Sequence, residues 1–203
     1  MTVSLIQVPY VLGDERQGTS KGPGRLVEAG ADKVVAAKGV AVRVERVDRG
    51  GPFRDSGNAS LKACKQLADV VRKTVQAGAF PLILSGGCDV SKGILSGFDQ
   101  SQCGIVWFDA HGDFNTPETT ASGYLDGMSL AILTGHCYQS YWAQVGNSAP
   151  VADSASSSNS PQQSLCCGGS AQAPHARPRK AGLLESQALC CLCSLPVWPW
   201  CPP

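Results

Sequence analysis

An α/β fold with a mainly parallel sheet is the fold class this sequence predicts, and three observations predict it. Strand-like and helix-like segments alternate from the first residues to about residue 146. Two of the strand-like runs end in residues suited to chemistry: Gly86-Gly87 after Pro81 to Leu84, and Asp109 after Ile105 to Phe108. Ligands on open α/β sheets sit beyond the carboxyl ends of the strands, so pattern and placement agree. Finally, 203 residues are enough for one domain with a sizeable core.

Taken in order, Val3 to Val8 reads as a first strand followed by a Gly-rich loop. Leu26, Ala29, Gly30, Val34 and Ala37 then recur at helical spacing, placing small and apolar residues on one face. Val40, Val42 and Val44 alternate as a strand requires. Asn58 or Ser60 can cap a helix that carries Leu61, Cys64, Leu67, Val71 and Val75 on one side, with Gly78 as its stop. Pro81 to Leu84 is a short buried strand, Ile105 to Phe108 the next, and Leu125 to Leu133 a helix.

After Gly146 the character changes. Ser148 to Ser170 is rich in Ser, Ala, Gln and Pro without a helical or strand period, and the end is rich in Leu, Cys, Pro and Trp. Proline at this density blocks regular structure, and the Ser-rich part buries too little apolar surface to order itself. The expected organisation is therefore a domain over 1–146 and a low-complexity, disordered tail over 147–203.

A net charge of +1 gives no argument for nucleic acid or an acidic membrane surface as partner. The start, Met1-Thr2-Val3-Ser4-Leu5-Ile6, has no basic n-region and no long apolar run, and nothing reaches the length of a membrane span. The expectation is a cytoplasmic protein. Four of the ten cysteines (Cys64, Cys88, Cys103 and Cys137) are scattered singly, as free buried thiols usually are, and the other six lie in the tail.

Chemistry concentrates in Ile105-Val106-Trp107-Phe108-Asp109-Ala110-His111-Gly112-Asp113. On an extended segment residues two apart share a face, so Asp109, His111 and Asp113 can converge on one point. Carboxylate oxygen with imidazole nitrogen suits Mn, Fe or Zn. The plainer reading, a strand end with two solvated acids and a surface His, would hold for a lone Asp-x-His.

The residues after Asp113 argue against that plainer reading: Phe114-Asn115-Thr116-Pro117, then Thr119-Thr120, Ser122-Gly123 and Gly127-Met128. With Asp-Ala-His-x-Asp before it, this stretch resembles the ureohydrolase family of arginases, agmatinases and formiminoglutamases, the arginases above all. Gln7-Val8-Pro9-Tyr10, Gly13, Gly22-Pro23 and Leu26 agree with an arginase opening. The resemblance runs from about residue 3 to about residue 145.

That resemblance implies a three-layer α/β/α fold and a pair of Mn ions that activate a water for attack on a guanidino, amidine or formimino carbon. By position Asp109 would bridge the metals, His111 would bind one and Asp113 the other. Aligning Gly93 with a later Gly of the family's Gly-Gly-Asp-His motif puts Cys88 at that His. Cys88 is then either a thiolate ligand, softer than imidazole, or a buried small residue. Asn115, Thr120 and Ser122 fall where arginases hold the amino-acid part of a small-molecule substrate. Asp126 replaces a His implicated in proton transfer, and Tyr124 replaces an Asn, so arginine itself is not singled out as substrate.

A second Asp-x-Asp metal motif is implied by the family but absent here, since the acids of the tail are Asp153 and Glu185. The chain is therefore expected to be a truncated ureohydrolase that is inactive as it stands. The alternative is a non-catalytic isoform that binds full-length subunits or has no function, with a homo-oligomer implied by analogy alone.

Overall fold

The computed structural model describes residues 1–16, 18–99, 103–146, 150–151, 156–158 and 188–193. Six strands are described: β1 (Thr2–Val8), β2 (Ala41–Arg46), β3 (Ala79–Ser85), β4 (Gly104–Asp109), β5 (Ser156–Ser158) and β6 (Ala188–Cys193). Between them run the helices α1 (Gly22–Glu28), α2 (Ala31–Ala36), α3 (Ser56–Gln76), α4 (Ser91–Ser96), α5 (Ser129–Leu133) and α6 (Gln139–Trp142). Every strand pair is parallel, in the orders β2-β1-β3 and β5-β4-β6. The predicted α/β class with a parallel sheet is the observed one.

β1 lies at the centre of its sheet, and Leu5, Ile6 and Val8 are wholly buried. β3 pairs with β1 on one side only among the described residues, which accommodates Pro81: a missing N–H costs no ladder bond on an open edge. The expected strand extends over Ala79–Ser85, but only Pro81 of it is fully buried and Phe80 is exposed.

The stripe predicted for α3 is observed. Leu61, Cys64, Leu67 and Val71 are buried, and Val75 packs against the same core with Val8, Ile94 and Trp142. The helix starts earlier than its expected caps. Asp55 is the N-cap, its carboxylate accepting the Asn58 N–H at 2.8 Å. The predicted stop is present at Gly78, whose φ of +68° turns the chain out of the helix.

α4 crosses α3 at very short range. A Cβ on Gly93 would lie 2.7 Å from the Cys64 carbonyl oxygen, and one on Gly97 would lie 2.5 Å from the Val71 Cβ. Glycines one helical turn apart let the two backbones meet, and that contact fixes the loop between β3 and α4.

Two expectations are corrected. The helix read through Leu26, Gly30 and Val34 is two short helices, because Gly30 adopts a left-handed φ of +92° and redirects the chain. Leu26 and Val34 are accordingly exposed. The segment from Leu125 begins as a tight helical turn over Leu125–Met128 and becomes α-helical only at Ser129. Ser156–Ser158 and Ala188–Cys193 flank β4 as parallel strands. The Trp/Pro-rich end of the tail lies outside the described residues.

Candidate metal centre

The site forms where β3 and β4 end. β3 delivers Gly86 and Gly87, and a single helical turn over Cys88–Val90 comes next and leads into α4. β4 delivers Asp109 at its last residue. The loop then bends back and places Asp113 under the start of α5.

Cys88, Asp109 and Asp113 converge, each offering one donor atom, with all three atoms within 4.8 Å of one another. The Cys88 thiol donates to Asp109 Oδ2 at 3.5 Å. Cys88 and Asp113 are buried, and the Asp109 side chain is only 7% exposed. Among the described residues this is the single His/Cys/Asp/Glu group with metal-binding geometry.

His111 does not join them. The alternation that predicted its convergence requires an extended chain, but β4 ends at Asp109 and Asp113 takes a left-handed φ of +46°. The His111 side chain is 69% exposed, with Nδ1 3.5 Å from Asp109 Oδ1. Its backbone N–H donates to that same oxygen at 2.9 Å. The imidazole stands at the rim, beside one ligand of the trio.

Asp113 holds its unusual backbone because its carbonyl is in demand. That oxygen accepts the N–H groups of Leu130 (2.9 Å) and Ala131 (3.2 Å), donors that the first turn of α5 leaves without partners of its own. Its carboxylate Oδ2 is buried and has no hydrogen-bond partner. Burial, then the Asp109 charge beside it, pushes the Asp113 carboxyl up to about 7.

A second pair of acids adjoins the trio. Asp126 Oδ1 accepts the Asp89 N–H at 2.9 Å, and both side chains crowd Gly87, where a Cβ would lie 3.0 Å from Asp126 Oδ1 and from Asp89 Oδ1. Asp89 is buried. Its Oδ2 accepts from the Ser60 hydroxyl, while its Oδ1 has no partner. Burial raises the proton affinity of both Asp89 and Asp126. The only local signal of Asp89 in the sequence is its place next to Cys88.

Four neighbouring carboxylates, two of them with an unpaired buried oxygen, require protons or cations for balance. The residues therefore fit a divalent ion. The predicted substrate-side residues occupy the loop after Asp113 and are engaged with it. Asn115 Oδ1 accepts from the Thr119 hydroxyl at 3.3 Å, Thr120 Oγ1 accepts the Gly123 N–H at 3.0 Å, and Ser122 Oγ accepts the Tyr124 N–H at 3.2 Å.

Known proteins share this arrangement of sequence and fold. A family model described as Arginase family matches residues 1–166, which is most of the chain. The chain belongs to the arginase family.

Arginase from Bacillus caldovelox is 34% identical over 160 residues, covering 73% of this chain and 53% of that protein. Arginase-1 from Rattus norvegicus is 34% identical over 142 residues, covering 64% and 44%. The crystal structure of arginase from Bacillus subtilis superimposes with a TM-score of 0.69 at 30% identity, over 78% of this chain and 55% of that one. This arginase-family chain thus has the family fold and spans about half the length of the curated relatives it matches. Among the described residues no helix is long and apolar enough to cross a membrane.

Proposed function

We propose that this chain carries the metal-binding half of an arginase-family hydrolase for C–N bonds in guanidino, amidine or formimino compounds, and that it does not turn substrate over as it stands. The observation that carries the reading is the convergence of Cys88, Asp109 and Asp113, with one buried Asp113 oxygen unpaired.

Asp109 and Asp113 would hold the ion, with His111 able to reach it by a side-chain rotation from the rim. For the family that ion is expected to be Mn. Such an ion supplies Lewis acidity and a nucleophile at neutral pH. Asn115, Thr120 and Ser122 would orient the substrate's polar end once their present loop hydrogen bonds are exchanged for it. Asp126, half-buried and raised in proton affinity, can hold a proton next to the centre, at a position where the family places a His.

Inactivity follows from ligand count. Among the described residues, three protein donors and an imidazole at the rim are a set for one ion, whereas two-metal attack needs a second ligand group. Loading the purified chain with divalent metal and measuring both metal per chain and urea or ammonia release tests this. One ion or fewer retained, with no product from arginine, agmatine or formiminoglutamate, is the expected result. Two retained ions with turnover would overturn it.

The second reading, a non-catalytic partner of full-length subunits, draws on the apolar side chains left exposed on the β1 sheet, Val44 and Phe80. Co-purification with a co-expressed full-length relative would support it.

A further inference from the structure

The donor at position 88 changes which metal this centre prefers. We propose that the Cys88 sulfur binds the ion together with Asp109 and Asp113, and that it makes the centre selective for a thiophilic divalent ion, Zn(II) before Mn(II). The inference rests on the reading of these three residues as one metal centre and adds the identity of its ion.

Three observations carry it. The thiol is aimed at the carboxylates: Cys88 Sγ lies 3.5 Å from Asp109 Oδ2, and sulfur and both carboxylates fall within one 4.8 Å group. Asp113, 7% exposed, holds an unpaired Oδ2 within the same group of donors, a buried acceptor that a bound ion would satisfy. The neighbouring imidazole of His111 is turned to solvent, which leaves the sulfur as the one donor of the group other than oxygen.

Cys88 is also fixed in place. Gly93 and Gly97 lock α4 against α3, and Asp126 pins the Asp89 N–H, so the backbone that carries Cys88 is held beside the carboxylates. Thiolate sulfur is a soft donor that binds Zn well, whereas Mn prefers oxygen and water and stands lowest in the divalent affinity order. On binding, the Cys88 proton passes to solvent and the sulfur lone pair goes to the ion.

The test uses the full chain with its six tail cysteines (Cys166, Cys167, Cys190, Cys191, Cys193 and Cys201) changed to Ser, and Co(II) alone as the probe. A sulfur-to-cobalt charge-transfer band should appear in the near ultraviolet, saturate at one ion per chain and bleach with one equivalent of Zn(II). A large excess of Mn(II) should leave it. Cys88→Ser should abolish the band and weaken Co(II) by more than the roughly 10–100-fold that loss of a supporting partner costs. Cys88→His should also lose the band but retain Mn(II) better than the parent. Circular dichroism confirms that each variant is folded.

Co(II) binding that needs Asp109 and Asp113 yet shows no charge-transfer band would overturn the role of Cys88 while leaving the centre standing. A band that persists in Cys88→Ser, or is displaced equally by Mn(II) and Zn(II), would overturn it too. Binding unchanged in Asp109→Asn and Asp113→Asn would remove the centre itself.

Discussion

In Asp113 a left-handed backbone, an unpaired carboxylate oxygen and the carbonyl that starts α5 belong to one residue. Its pH behaviour comes from its surroundings. With an ordinary carboxyl value in the unfolded chain and about 7 in the fold, the folded state keeps a proton that the unfolded state has already released. Metal-free stability is therefore full below about pH 4, falls as pH rises through 7, and is flat above. Asp113→Asn should stabilise the metal-free chain at pH 8 by on the order of a few kcal/mol, with little gain at pH 4, and should abolish metal retention. Denaturant melts at the two pH values, with and without chelator, check this. Asp109 and Asp113 were legible in the sequence as acids at a strand end. The placement of His111 was not, because alternation presumes an extended chain and β4 stops at Asp109. The union of Asp89 with Ser60 and Asp126 joins residues 29 and 37 positions apart and leaves no local pattern.

Among the elements, α3 and α4 decide whether the centre exists. Gly93→Ala puts a methyl against the Cys64 backbone, which cannot move as a side-chain tip could, so a loss of about 1–3 kcal/mol is expected. Metal affinity should fall with it, read by thermal melts and metal titration on the same sample. Asp55→Ala removes the α3 cap and should cost about 1 kcal/mol without changing metal stoichiometry. The α3 stripe was readable because one amphipathic helix keeps its period for 21 residues. The break at Gly30 was hidden, since small and apolar residues continue at helical spacing straight through it. Asn58 and Ser60 are good capping types, and Asp55, equally good, lies just upstream; local chemistry does not rank the three.

At the scale of the molecule, the β1 sheet is only partly covered. Register sets Val44 and Phe80 on the same face as the buried Val3 and Leu5, yet both are exposed. Apolar area of this kind favours association. Sedimentation velocity over a range of concentrations should show self-association, reduced in Phe80→Lys. The tie between Asp113 and α5 reaches across the same whole. Leu130 and Ala131 are buried core residues, and their amide protons are held by the carbonyl of an acid that the ion would fix. Those two amides serve as an internal gauge of occupancy. Hydrogen–deuterium exchange at Leu130 and Ala131 should slow when the ion binds and quicken when a chelator removes it, so the state of the centre can be monitored from within the core, with no substrate and no spectroscopic metal.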